Sequence, residues 1–363
     1  MDSDDTIMED LNILEDVAEA RRQKVYKNKI EPFLKYDDTE FYRHYRFDKT
    51  TARFIIDLLR EDIASATNRG GAISSELIVL TGLRYLAAGS YQKDVGDCHN
   101  ISQQPVSNCV KKFVRALASK ARDFIKFPSE PSEIRSVKRK FFDVAGFPQC
   151  VGAIDCTHIK IKNPGQEFGA RHRCRKNFYS INVQVVCDAS QRVTDVVARW
   201  RGSAHDSRIW RESSIYHRLQ NMDLQGGVIL GDSGYPGSKI LLTPFRVSAI
   251  LSEPEQRYNR SHIRTRNHIE CLFGQLKNKF RCCFNGIQLN YETAKASIVA
   301  ICILHNISKG SSNVGFLDGS DTIMPDGDLN QNDDNENDDA LVQRRRLSGR
   351  YYRNIFIQKY FNR

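Results

Sequence analysis

The chain of 363 residues is 40% hydrophobic, enough to bury one sizeable α/β core and a smaller helical unit. No apolar stretch approaches the roughly 20 residues that a membrane-spanning helix needs, which argues against a membrane protein. The ten cysteines show neither CxxC nor zinc-finger spacing. We therefore expect an intracellular protein with free thiols and without a zinc site.

The charge is unevenly distributed along the chain. The net charge is +10, yet residues 1–20 carry eight acids and residues 318–339 carry nine, and neither segment contains a lysine or arginine. The rest of the chain therefore has a net charge of +27. Such a basic body indicates a polyanionic partner, with DNA or RNA as the obvious candidates. A solvated basic surface is the alternative.

The charge and composition also divide the chain. Residues 1–30 are acidic and then basic, which predicts a flexible N-terminal extension, and residues 311–340 have the composition of a disordered acidic linker. Residues 341–363 carry seven bases together with several aromatic side chains. This tail could serve in nuclear import or clamp a nucleic acid, and its aromatic residues indicate that it docks on something.

Residues 31–145 have the apolar spacing of helices. Two successive segments, Tyr91–Cys98 and Gln103–Leu117, could form a helix-turn-helix, which would place Lys111 and Lys112 on the exposed, DNA-facing side of its recognition helix. The alternative is a helical bundle that only packs on the next domain. The sequence does not decide between these two interpretations.

Residues 146–310 have the pattern of an α/β domain. Four strands are predicted, with one helix over Ser207–Gln220 between the third and the fourth, and a long helix follows them. The predicted strands are Val151–Ile161, Tyr179–Cys187, Val193–Trp200 and Val228–Gly231. This order fits an RNase H-like domain, preceded by an all-α domain.

Four acids, each in a motif of its own, are the candidate site. They are Asp155 in VGAIDCTHIKI, Asp206 in RGSAHDSRIW, Asp232 in VILGDSGYP and Glu270 in RTRNHIECLFGQLKNKF. The first and third are expected at or near strand ends, where open α/β sheets place their chemistry. Convergent carboxylates are the ligands of hard cations such as Mg²⁺ or Mn²⁺, which support phosphodiester cleavage.

Each acid also has a simpler interpretation. Asp206 could be a helix N-cap, Asp232 a turn residue, and Glu270 a solvated charge on a helix. Asp155 has no such simple structural role, because an acid in an apolar strand must be paired, protonated or bound to metal. The appearance of all four in one fold-consistent order favours an active site.

Basic residues near these acids are candidates for binding nucleic acid. On the predicted helix of Glu270, Arg266 and Lys277 lie within about 40° of that acid around the axis. We expect them to hold the scissile strand. A basic run between the first two strands is expected to stand near Asp155 and to contact the nucleic acid; it contains Arg171, Arg173, Arg175 and Lys176.

The motifs AIDCTHI, GSAHDS, GDSGYP and IECLFGQLKNKF resemble the catalytic domain of the PIF/Harbinger transposases and their domesticated relatives. The resemblance covers roughly 147–306 and implies that the RNase H-like domain is of the DDE transposase and integrase type. It implies that Asp155, Asp232 and Glu270 are the catalytic triad, with Asp206 as a further ligand of the divalent metal. It also implies a protein of the nucleus, and in some conditions of the cytoplasm as well. The resemblance further implies that the protein relies on a separate Myb-like DNA-binding partner.

The sequence thus predicts a Harbinger-derived DNA endonuclease that hydrolyses phosphodiester bonds with water activated by a divalent metal. One alternative is an active transposase that joins DNA ends. Another is a catalytically silent nuclear adaptor that binds DNA or a partner protein. Oligomerisation is compatible with each of them.

Overall fold

A computed structural model describes residues 29–64, 72–245, 250–310 and 340–362. Residues 1–28 of the predicted N-terminal extension and residues 311–339 of the predicted acidic linker lie outside the described residues. All ten cysteines are free thiols, as expected. No helix among the described residues is both long and apolar enough to cross a membrane.

Helices fill the described chain before the sheet. They are α1 (Pro32–Lys35), α2 (Asp38–Tyr45), α3 (Lys49–Ile63), α4 (Ser75–Ala88), α5 (Gln92–His99), α6 (Gln103–Ser119), α7 (Ala121–Phe124) and α8 (Pro131–Ala145). The helices α5 and α6 coincide with the two segments of the predicted helix-turn-helix. In α6, Lys111 and Lys112 are exposed, while the apolar face is buried around Phe113. Gly82 of α4 allows close packing there, because a Cβ at Gly82 would lie 2.1 Å from the Phe113 ring.

The strands form one five-stranded sheet of order β3-β2-β1-β4-β5. Neighbours are antiparallel on the β2 and β3 side of β1 and parallel on the β4 and β5 side. The strands are β1 (Cys150–Lys160), β2 (Ser180–Cys187), β3 (Val193–Arg201), β4 (Val228–Leu230) and β5 (Leu241–Leu242). The four predicted strands are present, and the short β5 was not predicted.

Helices cover both faces of the sheet and the links between its strands. They are α9 (Gln166–His172), α10 (Asp206–Arg211), α11 (Ser214–Asn221), α12 (Glu253–Lys279), α13 (Cys282–Asn285) and α14 (Tyr291–Gly310). The single helix predicted over Ser207–Gln220 is in fact two, α10 and α11. The break comes at Ser213, whose hydroxyl accepts a hydrogen bond from Tyr216 N and so caps a new helix.

One buried cluster connects the helical part with the sheet. It contains Phe113 from α6, Val185 from β2, Leu272 from α12 and Ile303 from α14. The residues 31–145 and 146–310 therefore share a hydrophobic core, and the boundary between the two predicted domains stays a prediction. A second cluster, around Trp210, packs α10 and α11 on the opposite face of the sheet.

The C-terminal segment is a helix, α15 (Ala340–Tyr360), that docks beside β5. Phe356 stacks on Phe147 with ring centroids 5.5 Å apart, and Arg353 lies 3.9 Å from the centroid of the Phe245 ring. Phe356 and Phe361 therefore dock on the body, as the composition of the tail indicated, whereas Tyr351 is 62% exposed. The sequence analysis did not predict that the tail is helical.

Replacement of Gly349 by valine is expected to destabilise the protein by about 1–3 kcal/mol. A Cβ at Gly349 would lie 2.5 Å from the carbonyl oxygen of Gly237, so α15 would be pushed away from the loop that follows β4. Urea unfolding measures the loss. The exposed neighbour Ser348, replaced by alanine, is the control, and equal stability of the two variants would contradict the proposed contact.

Candidate metal centre

Three of the predicted acids converge beside the middle of β1. One carboxylate oxygen from each of Asp155, Asp206 and Asp232 lies within 4.8 Å of the others. Asp155 is the sixth residue of the eleven in β1, so the expectation that it lies at a strand end was wrong. Asp232 can still reach Asp155, because β4 ends at Leu230, opposite Ala153. Beyond that point the edge of β1 is open to the loop that carries Asp232.

Asp206 is held at this site by the sheet. It is the first residue of α10, and the N-cap position belongs to His205, so the alternative that Asp206 is the N-cap does not hold. Its Oδ1 accepts a hydrogen bond of 3.1 Å from Nδ2 of Asn182 on β2, and the same amide donates to Ala204 O at 2.9 Å. Asn182 thus fixes both the carboxylate and the start of its helix.

Asp232 combines the two interpretations that the sequence allowed. Its Oδ1 accepts a hydrogen bond of 3.1 Å from Gly234 N, which is the contact of a turn residue. The same carboxyl group takes part in the three-carboxylate cluster. The turn therefore orients the acid toward the other two.

Glu270 is linked to the cluster through an arginine. Nη1 of Arg266 donates to Oδ2 of Asp155 at 2.9 Å, and its Nη2 forms a short ion pair with Oε1 of Glu270, one turn further along α12. Glu270 is therefore neither a fully solvated charge nor one of the three converging carboxylates. Arg266, predicted to hold the scissile strand, lies inside the site with its side chain only 16% exposed.

Burial and mutual repulsion hold protons on this site. Burial and, second to it, the neighbouring Asp232 raise the pKa of Asp155, Arg266 opposes both effects, and the resulting pKa is about 8. Burial, followed by the charge of Asp206, likewise raises the pKa of Asp232, to about 6. Three carboxyl groups this close cannot all be charged without a counter-ion. A divalent cation bound here would supply this counter-charge in place of the protons.

The donor set fits a hard divalent cation. Carboxylate oxygens suit Mg²⁺ and Mn²⁺, whereas thiolates and imidazoles favour softer metals. The nearest thiol, Cys156, shares a hydrogen bond of 3.2 Å with the Tyr235 hydroxyl, and burial raises its pKa well above the ordinary value. It therefore stays protonated and does not compete as a ligand. Asp155, Asp206 and Asp232 are the residues that would hold the metal.

Metal-free protein is expected to lose stability as the pH rises from about 4 to about 8. The unfolded chain releases its Asp155 and Asp232 protons near pH 3.8, but the folded site retains them to about pH 8 and about pH 6, so unfolding releases protons in this window. Added Mn²⁺ should raise the melting temperature more at pH 8 than at pH 5. Melting curves at both values measure this, and a Mn²⁺ effect independent of pH would contradict it.

The predicted basic residues occupy three places. The run containing Arg171, Arg173, Arg175 and Lys176 is exposed and lies by the Lys160 end of β1, because Arg173 pairs with Tyr179, whose carbonyl accepts from Ile161 N. It is thus five residues along β1 from Asp155. Lys277 is half-buried on α12, two turns beyond Glu270. Lys111 and Lys112 lie on α6, which packs against α4 and α14.

Sequence reasoning missed Asn182 and the pairing of Arg266 with Asp155. A signal existed for the first, because the strand SINVQVVC is buried throughout and carries the amide of Asn182, which is 1% exposed. A buried amide needs hydrogen-bond partners, and here they are Asp206 and Ala204. The arginine pairing joins residues 111 positions apart and left no local signal.

Residues 154–306 match the family model described as DDE superfamily endonuclease, and this span contains all four acids. The chain therefore carries a DDE endonuclease domain. It is 35% identical over 268 residues to the Rattus norvegicus protein named "Putative nuclease HARBI1", covering 73% of this chain and 76% of the relative, and 34% identical to the Homo sapiens protein of the same name over the same shares.

An Arabidopsis thaliana relative, "Protein ALP1-like", is 28% identical over 320 residues, covering 82% of this chain and 75% of its own length. The chain belongs to this family of Harbinger-transposase-derived proteins. The family resemblance seen in the motifs is thereby confirmed. No solved structure matches the chain significantly.

Proposed function

We propose that the protein is a divalent-metal-dependent DNA endonuclease that hydrolyses phosphodiester bonds. The observation that carries the proposal is the convergence of Asp155, Asp206 and Asp232 within 4.8 Å, in a domain matched to DDE endonucleases. The sheet order β3-β2-β1-β4-β5, antiparallel on one side of β1 and parallel on the other, supports an RNase H-like fold.

The three aspartates would hold Mg²⁺ or Mn²⁺. A bound divalent cation lowers the pKa of water and offsets the charge that develops at phosphorus. Asn182 keeps the Asp206 carboxylate in place, and the Asp232 turn keeps the third acid directed at the site. Glu270 is separated from the three aspartates by Arg266. If Arg266 bound a phosphate instead, Glu270 could accept a proton or become a further ligand of the metal.

Arg266 offsets part of the negative charge of the site when no substrate is bound. Its guanidinium contacts both Asp155 and Glu270 and is mostly buried. The guanidinium group of arginine binds carboxylate and phosphate with the same two-pronged geometry. A phosphate of a bound DNA strand could therefore accept the hydrogen bonds that Arg266 now donates to the two carboxylates. Lys277, further along α12, would then contact the next part of the strand.

The charge of the protein supports DNA as the substrate. The net charge outside the two acidic segments is +27, which favours binding to a polyanion. A nuclear location, a Myb-like DNA-binding partner and oligomerisation are proposed with this function, from the family resemblance described above. The exposed face of α6 with Lys111 and Lys112 is a proposed further contact with DNA.

The test is an incubation of the full chain with supercoiled plasmid and Mg²⁺, Mn²⁺ or EDTA. We expect nicking with either metal and none in EDTA. A linear donor fragment in the same reaction reports strand transfer, whose appearance would favour an active transposase over a nuclease. Absence of both products, with a Myb-like partner protein also added, would favour the silent adaptor.

A further inference from the structure

We propose that a surface centred on Lys160, Phe178 and Phe284 is a second DNA site, which stacks an unpaired base of single-stranded DNA next to the strand at the metal centre. We call it the aromatic-basic patch. The inference rests on the proposed function, because it extends the path of the DNA strand away from the acids. Its occupant is single-stranded DNA, and duplex DNA and protein are the rivals that the test distinguishes.

The patch combines a lysine with an exposed aromatic ring. Nζ of Lys160 lies 5.0 Å from the centroid of the Phe178 ring and 5.9 Å from that of Phe284. The Phe284 side chain is 55% exposed, so part of its ring is open to a ligand. An ammonium group beside an open ring can contact a phosphate while the ring stacks on the attached base.

The backbone fixes this arrangement. Ile287 N donates to Lys160 O at 2.9 Å, and Lys162 N donates to Ile287 O at 3.1 Å, so the segment after α13 is tied to the end of β1. Gly286 makes this approach possible, because its φ is +103° and a Cβ there would lie 3.2 Å from Cβ of Lys160. The backbone that carries Phe284 is therefore held beside the end of β1.

Further cations surround the ring and the lysine. Cys174 N donates to Phe178 O at 2.9 Å, which brings the exposed basic loop of 171–176 against the patch. The Arg173 guanidinium lies 5.8 Å from the centroid of the Tyr179 ring. Within the described ranges, no salt bridge joins Lys160 or Arg173 to a carboxylate. Both cations thus remain available to phosphate.

The patch and the acids lie along the same two elements. Strand β1 leads from Asp155 to Lys160, and α12 leads from Glu270 toward α13 and Phe284. Five strand residues span about 17 Å. A single DNA strand needs at most about five nucleotides to cover this distance, since about 3.4 Å per nucleotide is the spacing along a strand of the stacked duplex and an unstacked strand is more extended. A strand with its phosphate at the acids can therefore reach the aromatic ring.

The chemistry of the patch favours a single strand over a duplex or a protein. Bases of a duplex are stacked on one another, so only an unpaired base can use an exposed phenylalanine ring. A protein partner of ordinary size would need a broad apolar surface, whereas Phe284 stands among cations. The loop cations supply the attraction to phosphate, and the ring supplies the preference for unpaired bases.

The test measures binding by fluorescence anisotropy of a labelled single-stranded oligonucleotide and of the matching duplex, with the full chain in EDTA. Phe284→Ala should weaken binding of the single strand about tenfold and change duplex binding less than about twofold. Phe284→Tyr should retain it, since a tyrosine ring also stacks. The control is Phe142→Ala, a phenylalanine 53% exposed on α8, which should change neither affinity.

An equal loss for single strand and duplex in Phe284→Ala would overturn the preference for unpaired bases. No loss for either DNA form would overturn the site altogether. Because EDTA prevents metal-dependent cleavage, the outcome is independent of nicking. A protein that binds single strands through Phe284 but never nicks plasmid would contradict the proposed nuclease alone.

Discussion

Replacing Asp155 or Asp232 by asparagine is expected to reduce plasmid nicking by roughly 10²–10³-fold or more. Each change removes one of three carboxylates that converge within 4.8 Å, so the cation loses a ligand and much of the charge that attracts it. The rate of conversion of supercoiled to nicked plasmid, in Mg²⁺ and separately in Mn²⁺, measures the loss. Wild-type rates in either variant would contradict the site.

The Asp206→Asn and Glu270→Gln variants distinguish metal ligands from other acids. Asp206 belongs to the three-carboxylate cluster, so its variant should bind Mn²⁺ about 10–100-fold more weakly by calorimetry. Glu270 pairs with Arg266 outside that cluster, so Glu270→Gln should keep Mn²⁺ binding while losing nicking. Equal loss of Mn²⁺ affinity in both variants would place Glu270 among the ligands of the metal-bound protein.

Replacing Arg266 by methionine is expected to destabilise the metal-free protein by about 3–5 kcal/mol at pH 8. The change leaves Asp155 and Glu270, which both pair with the guanidinium, without their counter-ion. At pH 5 the loss should be smaller, because Asp155, whose pKa is already raised to about 8, becomes protonated. Mn²⁺ should restore much of the stability at pH 8 by replacing the missing positive charge.

Urea unfolding at the two pH values, with and without Mn²⁺, measures these effects. Arg264→Met is the control, since Arg264 is exposed two residues earlier on the same helix and should change stability by less than about 0.5 kcal/mol. A loss in Arg266→Met that is equal at both pH values and insensitive to Mn²⁺ would show that Arg266 stabilises through packing instead.

Much of the sheet could be predicted because its strands have clear patterns. Alternating or continuous apolar residues marked β1, β2, β3 and β4 to within a few residues. The two-residue strand β5 has no pattern to detect, and it forms because Leu241 and Leu242 pair with β4. The break between α10 and α11 depends on the cap at Ser213, which an apolar stripe does not reveal.

The sequence predicted which residues belong to the candidate site, but only part of their arrangement. The helical spacing of α12 correctly placed Arg266 beside Glu270, because that relation is local. The contacts that decide which acids meet join distant residues, Arg266 with Asp155 and Asn182 with Asp206. Such contacts follow from the packing of α12 and β2, so the sequence could not show that Asp206, and not Glu270, completes the cluster.

The most direct test of the metal centre is anomalous diffraction from crystals of the protein grown with Mn²⁺. We expect an anomalous peak within bonding distance of Asp155, Asp206 and Asp232, and its loss in Asp155→Asn crystals. A Mn²⁺ peak elsewhere, with Arg266 still paired to Asp155 and the three carboxylates free of metal, would contradict the proposed centre.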